Sequence, residues 1–266
     1  MDSSGNRAGS SLTDSPPAAA ATPEPPAKPR YSVVVPVYNE SENIGPFCAT
    51  AKEKLPPGFE LLICYDFDED STLPALEKVP PDARPPLVRL VRNRLGRGVR
   101  WAIDAGMRDA RADVVLVTMA DLSDDFSNVE EMIRRAENGA DVVCASRYMA
   151  GGKQIGGPKL KKFLSRTAGL TLKWIAGLPT HDPTNSFKAY RRDFLRRTPI
   201  ESEAGFALGL ELTVKAHFSG GRVEEVPAIW QDRAAGASRF RLLKWMPMYL
   251  RWYWLAMRRR WLGGNA

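Results

Sequence analysis

Residues 114–126 read VVLVTMADLSDDF, a water-avoiding run that breaks into carboxylates within seven residues. Nearly continuous Val and Leu content fits a strand covered on both faces, the habit of parallel sheets. Asp121, Asp124 and Asp125 then crowd the carboxyl end of that strand.

The same pattern extends outward in both directions. YSVVVPVYNE reads as a strand over 31–35 followed by a Pro-marked turn, FELLICYDFDED as a strand over 60–65, and PPLVRLVRN and ADVVCASRY as two more. Between them NIGPFCATAKEKL, GRGVRWAIDAGMRDA and NVEEMIRRAENG carry helical spacing, the second with Val99, Ile103 and Met107 four apart and the third stopped at Gly139. Strands alternating with helices predict an α/β fold, a mainly parallel Rossmann-like sheet with helices on both faces. Every strand also ends in polar residues: Asn39 and Glu40, Asp66 and Asp68, Asn93, the Asp121–Asp125 cluster, and Arg147. In an open parallel sheet those ends line one edge, where a ligand crevice usually lies.

After Gly152 the pattern changes. GPKLKKFLSRTAGLTLKWIAGL reads as an amphipathic helix with Leu160, Phe163/Leu164, Thr167/Ala168 and Leu172 on one stripe. HDPTNSFKAYRRDFL reads as a loop and short element, GFALGLELTVKAHFSG as a helix, and GRVEEVPAIW as an edge strand, since Pro227 suits only an edge. The expected organisation is a Pro/Ala/Ser-rich disordered leader over 1–29, a catalytic domain over 30–238 and a basic, aromatic helical segment over 239–266.

A chain of 266 residues, 44% hydrophobic, can bury a full core. Three cysteines are an odd count and imply no disulfide framework, which suits a reducing compartment. No secretory signal and no charge-free span of membrane length stand out, so the protein is expected in the cytoplasm, free or peripheral to a membrane. The net charge of +7 is local: Arg239, Arg241, Lys244, Arg251, Arg258, Arg259 and Arg260 account for it, and no acid follows Arg239. That placement predicts a local anionic surface rather than nucleic acid as partner.

Acids at adjacent strand ends repel unless a cation compensates, and a divalent metal holding a diphosphate answers that need with oxygen ligands. Ser123–Asp125 would equally serve to cap the helix that begins near Asn128. Only two His and no C-x-x-C pair argue against structural zinc, and the absence of both phosphate-loop fingerprints disfavours kinases and dehydrogenases. RNRLGRG offers a glycine turn that brings Arg97 toward a phosphate, or a turn alone.

VVVPVYNE, ADLSDD, CASRYMAGG, DPTNSFKAYRR and EVPAIWQDRAAGASRF, in that order, resemble the family 2 glycosyltransferases of GT-A fold, in the dolichol-phosphate mannose synthase and polyprenyl-phosphate glycosyltransferase branch. The resemblance implies inverting transfer of a sugar from a nucleoside-diphosphate donor, of the GDP-mannose or UDP-glucose type, to a polyprenyl phosphate. It implies that Pro36, Tyr38, Glu40 and Asp66 hold the donor's base and ribose, with Mg²⁺ or Mn²⁺ on Asp121 aided by Asp124 or Asp125. Arg147 and Arg233, with Lys161 and Arg239, would hold donor or acceptor phosphate. Two departures stand out. Met119 replaces the first acid of the family's D-x-D, and DFDEDS replaces its DDGS, leaving Asp68 as a substitute acid. A thioether is a poor ligand for Mg²⁺.

Negative charge grows on the leaving diphosphate, so cations placed there strengthen as the reaction proceeds. An ionised phosphate acceptor needs little base, whereas a hydroxyl acceptor would need a carboxylate within about 3 Å. Asp182 is the candidate base for that alternative, or else it simply closes the Asp-Pro-Thr turn. Lys162 and Arg166 are further candidate cations on the helix that carries Lys161, and being four apart they lie on one helix face. Leu243, Met246, Leu250, Trp254, Met257 and Trp261 form a final stripe that packs on the domain or rests on anionic lipid. A third reading is a nucleotide-sugar or lipid binder with catalysis impaired by Met119.

Overall fold

The computed structural model describes residues 28–203, 205–232 and 242–262. The chain runs β1 (Tyr31–Pro36), α1 (Ile44–Lys54), β2 (Phe59–Tyr65), α2 (Thr72–Glu77), β3 (Val88–Arg92), α3 (Val99–Asp109), β4 (Val114–Val117), α4 (Val129–Glu137) and β5 (Val142–Ser146). It continues through β6 (Lys153–Ile155), α5 (Lys159–Trp174), β7 (Lys188–Arg191), α6 (Arg192–Arg197), α7 (Ala207–Phe218), β8 (Val223–Pro227), β9 (Ile229–Gln231) and α8 (Leu242–Leu262).

Seven strands form one sheet in the order β3-β2-β1-β4-β7-β5-β8. All pairings are parallel except those of β7, which runs antiparallel between β4 and β5. The carboxyl ends of β1 to β5 therefore share one edge. The chain leaves β1 with β2 on one side and β4 on the other, which opens a crevice at that switch point.

Strand alternation divides the core. Val33, Val35, Leu61, Ile63 and Leu116 pack with Phe47 and Met132 on one face, while Val34, Leu62, Cys64, Val115 and Val117 pack with Ile103 and Leu212 on the other. Both faces being covered explains why β1, β2 and β4 are apolar throughout. Gly106 lets α3 lie flat on the sheet, because a Cβ there would stand 2.6 Å from Val34 Cγ1 and Cys64 Sγ.

α7 is buried along nearly its whole surface, since the sheet lies on one side and α8 on the other. Trp252, Ala256 and Met257 of α8 pack against Leu210 and Val214 of α7 and Leu172 of α5, so the middle of the basic C-terminal segment is joined to the domain. This orientation differs from the expected stripe: Met257 is buried, but Leu250, Trp254 and Trp261 face outward. On α5, Leu172 is buried while Leu160 and Phe163 are exposed. In both helices the inward face is set by the neighbouring helices rather than by the apolar residues of the helix alone. The expected edge strand is β8, and past Ala228 the chain leaves the sheet as β9, which pairs in parallel with β6. Residues 1–27 of the predicted leader, and Arg233 and Arg239, lie outside the described residues.

Candidate active site

A cleft of about 980 Å³ opens on the edge where the parallel strands end. Pro36, Tyr38 and Glu40 come from the turn after β1, Asp66 from the end of β2, Met119 and Asp121 from the end of β4, and Arg147 from the end of β5. Lys161 and Ser165 of α5 enter from above, Thr184–Ser186 from the loop before β7, and Met246 and Tyr249 from α8.

The walls are fixed by hydrogen bonds that the sequence signals only in part. Asp66 accepts from the Asn93 amide and from Gly98 N, each at 2.7 Å, and so ties the ends of β2 and β3 to the start of α3. Gly98 sits at φ 106°, where a side chain would be strained. Asp70, not singled out from sequence, is fully buried and accepts from Asn39 N, Thr72 N and the Thr72 hydroxyl, which sets the turn carrying Tyr38 and Glu40. The Tyr38 and Phe67 rings meet edge to face at 5.4 Å, so Phe67 forms an aromatic corner beside the Tyr38 wall.

Asp121 accepts from Ser123 N at 3.1 Å, and the turn that this bond closes holds Leu122 at φ 56°. A leucine in that region costs about 1–3 kcal/mol and persists where surrounding contacts enforce it. Those contacts are the Ser123 and Asp125 backbones, which bond Gln231 N and Ile229 O and so dock the acidic loop on β9. Asp124 accepts from the Thr118 hydroxyl at 2.9 Å. Burial, then the nearby Asp121 charge, push its carboxyl up to about 7. Asp125 accepts from Ser127 N and Oγ and caps the short 3-10 turn Phe126–Asn128. The capping interpretation thus describes Asp125, while Asp121 lines the cleft and Asp124 lies behind it, bonded to Thr118 and within electrostatic reach of Asp121.

Arg147 and Asp182 form the other electrostatic centre. Arg147 Nε and Nη2 donate to the two Asp182 oxygens at 2.6 and 3.0 Å, and Arg147 N adds a third bond at 3.1 Å. Both side chains are buried. Burial opposes the guanidinium charge, but Asp182 more than offsets it and raises the Arg147 pKa above its ordinary value. Asp182 also accepts from Thr184 Oγ1, does not line the cleft, and is engaged as the anchor of Arg147.

The remaining candidates separate by position. Asp68 pairs with Arg92 at 2.6 Å and Arg97 is exposed, and neither lines the cleft. Lys162 donates to Gln154 O, Arg166 is exposed, and His181 is paired with Glu225 at 2.6 Å. Gln154, Ser165 and Trp230 line the cleft without having been singled out, and Tyr148 bridges the first two through its hydroxyl. Gln154 follows CASRYMAGG by two residues and Trp230 ends EVPAIW, while Ser165 carries no signal beyond its place in the α5 segment beside Arg166. Among the described residues no three His, Cys, Asp or Glu side chains form a metal cage.

This arrangement can bind a phosphorylated ligand between the Asp121 carboxylate and two cations, the buried Arg147 and the half-buried Lys161. The glycosyl transferase family 2 profile matches residues 32–198. The dolichol-phosphate mannosyltransferase of Pyrococcus furiosus is 28% identical over 234 residues, covering 81% of this chain and 64% of its own. This chain thus spans just under two thirds of that relative. The polyprenol monophosphomannose synthase of Mycolicibacterium smegmatis is 30% identical over 216 residues, covering 79% of this chain and 80% of its own. Among solved structures, glucosyl-3-phosphoglycerate synthase from Mycobacterium tuberculosis, in complex with Mn²⁺, UDP and glucosyl-3-phosphoglycerate, aligns at TM-score 0.59 and 20% identity, covering 88% of this chain and 80% of that one. That structure shares the fold of the chain described above. With more than half of its length matched by the family profile, the chain belongs to glycosyl transferase family 2.

Proposed function

We propose that the cleft transfers a sugar, with inversion, from a nucleoside-diphosphate sugar to a polyprenyl phosphate. The observation that carries this reading is one cavity in which Asp121, Arg147 and Lys161 meet an apolar wall of Leu164, Ala168, Met246 and Tyr249. A phosphate joined to a hydrocarbon tail requires that combination.

The donor base and ribose lie against Pro36, Tyr38, Glu40 and Asp66. Asp121 would hold Mg²⁺ or Mn²⁺ at the cleft surface, with Asp124 behind it, since such an ion commonly takes one or two carboxylates and completes its shell with phosphate and water. Bound there, the ion would draw off the charge that develops on the leaving diphosphate. Arg147 is held rigid by Asp182 and presents its remaining donors without reorganisation, the economical form of charge stabilisation. Lys161 adds a second cation, and Arg233 and Arg239 are assigned to phosphate by family position alone. The engagement of Asp182 with Arg147 favours a phosphate acceptor, which needs no base, over a hydroxyl acceptor.

The outward faces of α5 and α8 support work at a membrane surface. Phe163, Trp174, Trp254 and Trp261 are each more than 60% exposed. Neither helix contains an acid, and both are rich in Lys and Arg. Aromatic and basic residues together suit the interface of an anionic bilayer. No described helix is long and apolar enough to cross a membrane. We assign the protein to the cytoplasmic surface of such a bilayer, with no nucleic-acid partner.

The test is a panel of GDP- and UDP-sugars incubated with short-chain polyprenyl phosphate, with and without Mg²⁺ or Mn²⁺. Metal-dependent entry of labelled sugar into the organic phase from one donor is the expected result. Binding without turnover for every donor would overturn it in favour of a catalytically impaired binder.

A further inference from the structure

Lys188 is an unusual residue for its position. It lies in β7, flanked by Phe187 and Ala189 in the sheet interior, and its side chain is fully buried. A lysine in a sheet centre must either lose its charge or find partners for it. Among the described residues no carboxylate is bonded to its ammonium. Nζ instead donates to two backbone carbonyls, Pro183 O at 3.1 Å and Asn185 O at shorter range. Both belong to the loop before β7, whose residues Thr184–Ser186 line the cleft.

The charge balance under that loop is informative. Arg147 and Asp182 neutralise each other through their paired hydrogen bonds. Lys188 lies within electrostatic reach of both, and burial lowers its pKa. Its ammonium is the positive charge in this group of three that no carboxylate bond offsets. The loop that gives these two carbonyl oxygens to Lys188 is the one that lines the cleft with Thr184–Ser186.

We propose that Lys188 is a positioning residue that fixes the Thr184–Ser186 loop from beneath and sets the anion affinity of the cleft. It touches no substrate. It acts through the loop's carbonyls and through its charge beside the Arg147–Asp182 pair. The proposal rests on the reading that a phosphate-bearing substrate occupies this cleft, but not on which lipid carries it.

The experiment compares the full-length protein with Lys188→Met, which nearly conserves volume, and Lys188→Arg, which conserves charge. Thermal unfolding is measured alongside calorimetric binding of GDP, UDP and farnesyl phosphate, and KM and kcat where turnover is seen. The expected result is a folded Met variant whose affinity for at least one phosphate ligand falls tenfold or more, with KM rising more than kcat falls. The Arg variant should recover at least part of that loss. Loss of nucleotide affinity in the Met variant, with farnesyl phosphate ignored even by the wild type, would support Lys188 while removing the lipid-acceptor reading. Binding of every ligand within twofold of wild type by a folded Met variant would overturn the assignment. So would failure of both variants to fold, which would make Lys188 a purely structural residue.

Discussion

Replacement of Asp182 by Asn separates the two roles that its position permits. Asp182 is fully buried and holds the Arg147 guanidinium through two side-chain bonds and a backbone bond. An amide keeps the shape but removes the negative charge and sets an N–H donor against Arg147. Breaking a buried ion pair from one side costs about 3–5 kcal/mol. For a domain of this size each kcal/mol lowers Tm by about 2–4 °C, so Asp182→Asn should lower Tm by about 6–20 °C. The cost lies in the stranded Arg147 charge, so the double variant Asp182→Asn with Arg147→Met should be more stable than Asp182→Asn alone. Differential scanning calorimetry of the four proteins in the cycle measures this, with sugar transfer assayed on each. An unchanged Tm for Asp182→Asn, combined with loss of kcat alone, would refute the anchoring role and restore Asp182 as a base.

Further expectations concern the other parts of the site. Asp121→Ala should reduce kcat/KM at least about 100-fold, as EDTA should in the wild type, while stability falls by only about 1 kcal/mol, the worth of the turn hydrogen bond to Ser123 N. Asp124, with its carboxyl pushed up to about 7, binds more protons folded than unfolded between about pH 4 and 7. Metal-free protein should therefore lose stability as pH rises through that window, by up to about 1.4 kcal/mol per unit, and Asp124→Asn should flatten the fall in urea titrations. A Cβ at Gly169 would stand 2.0 Å from His181 O, so Gly169→Ala should push α5 off the 180–182 loop and lower activity together with Tm. Trp254→Ser combined with Phe163→Ser should weaken sedimentation with anionic vesicles while preserving Tm, since both side chains point outward.

The fold was legible where burial is two-sided. β1, β2, β4 and β5 announce themselves as apolar runs because helices cover both faces of the sheet, and their polar ends converge because parallel strands share an edge. The direction of β7 was not legible: four residues after a Pro-containing loop carry no local sign of pairing antiparallel between β4 and β5. The outward turn of Trp254 and Trp261 was equally hidden, since the inward face of α8 is chosen by α7 and α5. In the site, Pro36, Tyr38, Glu40, Asp66, Asp121, Arg147 and Lys161 were named from strand ends and resemblance, and all line the cleft. Asp68 stands three residues beyond the end of β2 and Arg97 in the turn between β3 and α3, where a small change of direction carries a side chain outward to solvent. The Arg147–Asp182 pair spans a separation of 35 residues, so its existence depends on tertiary packing alone.

The most direct test follows the phosphorus atoms themselves. Protein, Mg²⁺, the donor selected from the nucleotide-sugar panel and a short-chain polyprenyl phosphate are combined, and ³¹P NMR spectra are collected with time. The phosphate monoester signal should be replaced by a phosphodiester signal in step with release of nucleoside diphosphate, and EDTA should stop both. Nucleoside diphosphate accumulating while the monoester signal persists would contradict the proposed transfer.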